Sequence, residues 1–116
     1  MFEAAFKALG EPTRLRILRM LAEQDLCVCD LEEVLQISQP RVSQHLKVLK
    51  QAGLVQERRE AQKRICSFNK QAFTVLIEEF NAFMEKPLNQ LEGFGEIQTR
   101  LLNLDEYSCE KKNCGK

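Results

Sequence analysis

Two cysteines stand one residue apart in the stretch DLCVCDL, Cys27 and Cys29, flanked by acidic residues. Thiolates are soft ligands that select thiophilic ions, and close cysteine pairs also carry redox chemistry. A helix starting at about Cys29 would lower the thiol pKa, so that the ligand form is accessible near neutrality. Side chains two apart on a regular helix point about 200° away from each other. If both sulfurs hold one small ion, the first helical turn must therefore be open or must unwind. The plainer alternative is a pair of buried, inert thiols, since free cysteine is among the most buried residue types.

The chain has five cysteines, an odd number that suits a complete disulfide framework poorly. Cys66 stands beside Ile65 and Phe68 and reads as core. Cys109 and Cys114 fall in EYSCEKKNCGK, a tail without periodicity. The single histidine, His45, leaves no nitrogen-rich metal site. The absence of a glycine-rich phosphate loop and of a paired-carboxylate pocket argues against an enzyme.

A second group of residues offers different chemistry. The net charge is zero, yet residues 38–70 hold eight basic and two acidic side chains, a balance of +6. Residues 1–37 come to −3 and residues 71–106 to −5, so a phosphate backbone would meet the middle segment. Within it, SQPRVSQHLKVLKQAG forms a helix with Ser38 as N-cap, Pro40 in the first turn and Gly53 as the left-handed stop. Val42, Leu46 and Leu49 face inward. Arg41, Ser43, Gln44 and Lys47 point outward with Gln39 ahead of them and His45 on the flank. Arginine matches guanine and glutamine matches adenine at major-groove edges, whereas Lys47 is better placed for phosphate.

The elements that must hold these groups follow from periodicity and punctuation. One helix ends at Gly10, and EPTRLRILRMLAEQ starts the next with Pro12 in its first turn. Leu15, Ile17, Leu18, Leu21 and Ala22 form its inner face, with Arg14, Arg16 and Arg19 outside. A short helix over about Cys29–Leu35 buries Leu31, Val34 and Leu35. Two strands, about Leu54–Arg59 and Arg64–Asn69, flank a polar EAQK loop, and place Arg58, Arg59, Lys63 and Arg64 on a charged hairpin. A long amphipathic helix carries Phe73, Leu76, Ile77, Phe80, Phe83 and Met84, and Pro87 breaks it. A last helical segment spans about Leu88–Leu104. Helix, turn, helix and basic hairpin is the order of a winged helix-turn-helix, mainly α with a small β-hairpin.

At 116 residues the chain is read as one domain over 1–106, with DNA-binding and dimerisation parts, and a flexible tail over 107–116. No apolar run is long enough for a membrane span, and MFEAAFKALG is no signal peptide, so a cytoplasmic location is expected. Phe2, Phe6, Phe73, Phe80 and Phe83 are more apolar surface than a thin winged helix buries by itself, which favours a homodimer.

ALGEPTRLRILRML, ISQPRVSQHLKVLKQAGLV and the hairpin resemble the ArsR/SmtB family of metal-responsive transcriptional repressors over most of residues 5–85. The resemblance implies a homodimer, paired through the first and fifth helices, that represses by binding double-stranded operator DNA and leaves it when metal binds. DLCVCDL is similar to the thiolate motif of the arsenic- and cadmium/lead-sensing members. Carried over, Cys27 and Cys29 are the inducer ligands, As(III) or Sb(III) is the inducer, and no organic cofactor is implied. Arsenic-type members often add a third cysteine shortly after the pair, where this chain has Glu32 and Glu33. Cys109 or Cys114 is the candidate replacement. The alternatives are a Cd(II)/Pb(II)-sensing repressor, a thiol-redox-sensing repressor of the same fold, and a small thiol-redox protein.

Overall fold

The computed structural model describes residues 2–104. They form two units that divide between Glu78 and Glu79.

In the first unit, helix α1 (Glu3–Leu9) gives way at Gly10 to α2 (Pro12–Glu23). The junction is built locally. Glu11 is extended, its carboxylate accepts the Arg14 N–H at 2.9 Å, and Pro12 opens the helix, where no N–H is needed. A two-residue strand β1 (Leu26–Cys27) leads into α3 (Val28–Leu35), which Gln36 ends in the left-handed region at φ 58°. Ser38 Oγ accepts the Arg41 N–H and caps α4 (Gln39–Gln51). Gly53, at φ 80°, then turns the chain, and the Leu54 N–H closes on the Leu49 carbonyl at 3.1 Å. Strands β2 (Val55–Glu60) and β3 (Lys63–Phe68) follow, and Asn69 Oδ1 receives the Ala72 N–H at the start of α5 (Lys70–Glu85).

The sheet is antiparallel in the order β1-β3-β2. Its inner side closes over Ile17, Leu31, Val42, Leu46, Leu49, Leu54 and Cys66, each less than 2% exposed. Burying a leucine or isoleucine this fully is worth about 1.5–3 kcal/mol. These contacts hold α3 and α4 together as a helix-turn-helix, with β2–β3 as the wing. The architecture is a winged helix-turn-helix of six helices and three strands among the described residues.

Several expectations need correction. β1 is an added strand, because the outer edge of β3 pairs with the segment entering α3. The four-residue polar loop is a two-residue turn at Ala61 and Gln62, since Glu60 pairs with Lys63 and Ala61 takes φ 56°. Leu15 is 53% and Val34 62% exposed, so neither belongs to the buried face of its helix. Ala22 is exposed as well, and Arg14 is drawn inward by partners described below.

The second unit begins within α5. Phe83 lies 6.1 Å from Phe80 and 5.8 Å edge-on from Phe94, measured between ring centroids. The expected single segment over 88–104 is instead a short 3₁₀ turn (Leu88–Gln90) and α6 (Gly95–Leu102), separated where Gly93 takes φ 85°. Met84, Ile97, Leu101 and Leu102 are exposed.

Candidate thiolate site and nucleic-acid interface

Cys27 is the N-cap of α3, not a member of it, with an extended backbone at φ −80° and ψ 163°. Its Sγ accepts the Asp30 N–H at 3.3 Å, and Asp30 Oδ2 accepts the Cys27 N–H at 3.1 Å. This is a capping box in which a cysteine replaces the usual serine or threonine. Because Cys27 is not helical, the 200° divergence does not apply. The two cysteines are joined as a disulfide with Cα atoms 5.3 Å apart, and the helix starts intact at Val28. Unwinding is therefore not required to bring the sulfurs together. One carboxylate oxygen of Asp30 lies within 4.8 Å of both sulfurs, which makes a compact S,S,O donor group once the thiols are reduced. Cys27 is 3% exposed and Cys29 is exposed, so access is from the Cys29 side.

Cys66 is a buried free thiol on the other side of the sheet. Cys27 pairs with Ile65 and Leu26 with Cys66, and neighbouring residues of a strand face opposite ways. Burial, followed by the nearby Glu57 carboxylate, raises the Cys66 pKa, so this sulfur stays a protonated core group. Cys109 and Cys114 lie outside the described residues.

A cleft of about 280 Å³ opens beside the pair. Cys27, Val28, Cys29 and Glu32 line one wall, and Gln39, the first residue of α4, adjoins them. Gln62, Lys63 and Arg64 of the wing complete the lining. The donor group, the start of the second helix of the motif and the tip of the wing thus share one space.

On α4, Gln39, Arg41, Gln44 and Lys47 are exposed and Ser43 is half-buried. His45 is different. Its side chain is 15% exposed, with Nδ1 3.5 Å from Arg14 Nη1 and 4.0 Å from Glu11 Oε1. On the wing, Arg58 ion-pairs with Asp25 at 2.8 Å and Glu60 at 2.7 Å. Arg64 pairs with Glu57 at 2.7 Å, and Lys50 meets the same carboxylate at 2.7 Å. The Arg64 guanidinium, aided by Lys50, holds the Glu57 carboxyl at about 2. Arg41, Lys47, Arg59 and Lys63 have no carboxylate partner among the described residues, so their charge is available to an external anion.

Sequence reasoning missed Asp30, Arg14, Glu57 and Asp25 as organising groups. Only Asp30 had a readable signal, its place three residues after Cys27 at capping-box spacing. The others act through contacts distant in sequence.

A helix-turn-helix with a wing defines a class, that of winged helix-turn-helix DNA-binding regulators. Residues 11–57 match the family model described as bacterial regulatory protein, arsR family. The transcriptional repressor SdpR of Bacillus subtilis is 40% identical over 76 residues, covering 66% of this chain and 81% of that protein. The chain belongs to the ArsR family, which is a family of transcriptional regulators and not of enzymes. The arsenic resistance transcriptional regulator ArsR1 of Pseudomonas putida is 45% identical over 58 residues, 49% of this chain and 45% of that protein. The chain spans about half the length of the arsenic-resistance relatives it matches. A solved structure described as a possible transcriptional regulator for arsenical resistance superposes with a TM-score of 0.60 at 27% identity. That match covers 86% of this chain and 95% of the other. No helix among the described residues is long and apolar enough to cross a membrane.

Proposed function

We propose that the chain is a cytoplasmic transcriptional repressor that binds double-stranded operator DNA as a homodimer and releases it when trivalent arsenic or antimony binds Cys27 and Cys29. In this reading residues 1–106 are the DNA-binding and dimerisation domain, and 107–116 a tail carrying Cys109 and Cys114. The observation that carries it is the position of Cys27. This residue ends β1, where it pairs with Ile65 of the wing, caps α3, and lines the cleft shared with Gln39 and Lys63.

Two thiolates and a nearby carboxylate fit a soft trivalent metalloid, which supplies strong bonds to sulfur. Cys109 or Cys114 is the candidate third thiolate. A Cys27 sulfur committed to such a ligand is a poorer acceptor for the Asp30 N–H, and an Asp30 carboxylate drawn to the ligand leaves the Cys27 N–H. Loss of an N-cap costs about 0.5–2 kcal/mol. Free energy of this size, spent on the support of α4 and on the edge of the wing sheet, lies in the usual range of coupling between two sites, about 1–3 kcal/mol.

Gln39, Arg41, Ser43 and Gln44 face the base edges from the first half of α4, and Lys47 faces phosphate. Arg59 and Lys63 meet the backbone beside the major groove, while Arg58 and Arg64 do so on geometry set by their own carboxylates. Dimerisation is supported by the half-exposed Leu15 and by a groove of about 430 Å³ lined by Leu9, Leu18, Phe68 and Phe73. Val75 and Ile77 on α5 add exposed apolar surface.

The test is arsenite titrated into the protein–operator complex at fixed salt and with reductant, repeated with Cys27→Ser, Cys29→Ser and a truncation before Cys109. Release by arsenite that both serine variants abolish is expected; equal operator affinity with and without arsenite removes the reading. Parallel titrations with Sb(III), Cd(II) and Pb(II) rank the inducers.

A second reading, thiol-redox sensing, is favoured by the joined sulfurs of Cys27 and Cys29. Two thiols and one peroxide give the disulfide and two waters. Thiol titration and operator binding before and after peroxide separate this reading from metalloid sensing.

A further inference from the structure

The polar cluster at the start of α2 has no part in the thiolate site, yet it reaches α4. Arg14 Nε–H donates to the Ala8 carbonyl at 2.7 Å and Nη2–H to the Lys7 carbonyl at 3.3 Å, both in the last turn of α1. Its Nη1 lies 3.5 Å from His45 Nδ1. Arginine can only donate, so a hydrogen bond at this contact requires Nδ1 to accept, with the ring proton on Nε2. Glu11, which accepts the Arg14 backbone N–H at 2.9 Å, stands 4.0 Å from the same His45 nitrogen. One guanidinium therefore joins α1, α2 and α4.

We infer that Arg14, acting through His45, sets the roll of α4 about its own axis and so determines how sharply the protein distinguishes its operator from other DNA. The inference rests on the operator-binding reading above. Val42, Leu46 and Leu49 of α4 are fully buried but apolar, and apolar attraction has no direction. The other side-chain ion pair of α4 among the described residues, Lys50 with Glu57 at 2.7 Å, lies in its last turn, away from Arg41 and Gln44. A roll of about 20° at a side-chain radius of about 5–6 Å moves an outer group by about 2 Å. That displacement takes a base-edge hydrogen bond well outside its working range of about 2.7–3.2 Å. Ionic attraction to phosphate declines far more gently with distance. His45 directly follows Gln44 and lies one turn after Arg41, so it is placed to fix the stretch that faces base edges. Arg14 suits the task because its planar fork is already held at two points on α1, which lysine could not reproduce. Arg14 and His45 are positioning residues; neither needs to touch DNA.

The experiment measures binding to DNA from upstream of the protein's own gene and to a scrambled duplex, each at several salt concentrations. It uses the full chain, wild type and carrying Arg14→Gln, Arg14→Lys, His45→Leu, His45→Asn or the Gln–Leu double substitution. Either Arg14 change or His45→Leu should cut the ratio of specific to scrambled affinity by about fivefold or more, and the double should do no worse than the poorer single. The salt slope should not change. His45→Asn, which keeps an acceptor near the Nδ1 position, should recover most of the ratio. Additive single effects, no recovery by asparagine, or a salt slope reduced by about 1 on changing His45 would each overturn the inference, the last by making His45 a phosphate contact. If Arg14→Gln does not fold, the lysine and histidine variants decide the matter alone. A wild-type chain that fails to prefer its own upstream DNA refutes the operator reading itself, which is a different outcome.

Discussion

Replacing Cys27 by serine and by alanine separates the two jobs that its sulfur does. The sulfur accepts the Asp30 N–H at 3.3 Å as the cap of α3, and it is one of the two proposed inducer ligands. Serine is among the best N-cap residues, so it keeps the cap and removes only the thiolate; alanine removes both. A lost cap is worth about 1 kcal/mol, and alanine also leaves a small void, because Cys27 is only 3% exposed. Alanine should therefore destabilise by about 1–2 kcal/mol. For a domain of about 100 residues, each kcal/mol lowers Tm by about 4–8 °C. Serine should stay within about 0.5 kcal/mol of wild type, the spread usual for a substitution that breaks no such feature. Thermal melts with reductant present, which exclude any part played by the disulfide, read the first effect. Arsenite titrations of the DNA complex read the second, and both variants should fail to release. If serine and alanine lower Tm equally, Cys27 does not act as a cap. If Cys27→Ser still releases normally in arsenite, the pair is not the trigger.

The wing charges divide by their partners. Arg59→Ala and Lys63→Ala should each flatten the dependence of operator affinity on salt by about one counterion, whereas Arg58→Ala should change it less, since Asp25 and Glu60 already hold that guanidinium. Binding isotherms at four or five salt concentrations check this. Glu57 titrates at about 2 when folded against an ordinary 4.5, so the stability it contributes is complete above that ordinary value and disappears as the pH falls toward 2. After solvent screening the pair is worth up to about 1 kcal/mol, and Glu57→Gln should make the urea midpoint less sensitive to pH over that window. Ala61 adopts φ 56° in the wing turn, a region that disfavours side chains other than the smallest. Ala61→Gly should raise stability by about 0.5 kcal/mol, and a lowered melting temperature would show that the turn gains nothing from the freedom of glycine.

The interval from Glu11 to Gly53 was readable because its punctuation is local. Pro12 and Pro40 sit in first turns, Ser38 caps its own helix, and Gly53 takes the left-handed angle that ends α4. The inner faces of Ile17, Leu18 and Leu21 and of Val42, Leu46 and Leu49 follow from periodicity, because a helix repeats every 3.6 residues whatever surrounds it. The cysteine spacing is the basis of the soft-ligand chemistry proposed above. Its geometry did not follow, because the helical 200° applies only to residues inside a helix, and Cys27 stands just outside one.

What tertiary structure decided are the contacts between segments far apart in the chain. Two residues, Leu26 and Cys27, have no pattern of their own and become β1 only because β3 presents a free edge to them. Leu15 matched an inner helical face but is exposed, since periodicity assigns a side of a helix and not the neighbour that must cover it. Arg14 and His45 were read as outward and flanking residues, yet the packing of α2 against α4 turns them toward each other. Composition, caps and period are properties of the chain over a few residues, and they determined the motif. Which donors share a cleft, and which cations keep their charge for a partner, depends on distances that exist only after folding.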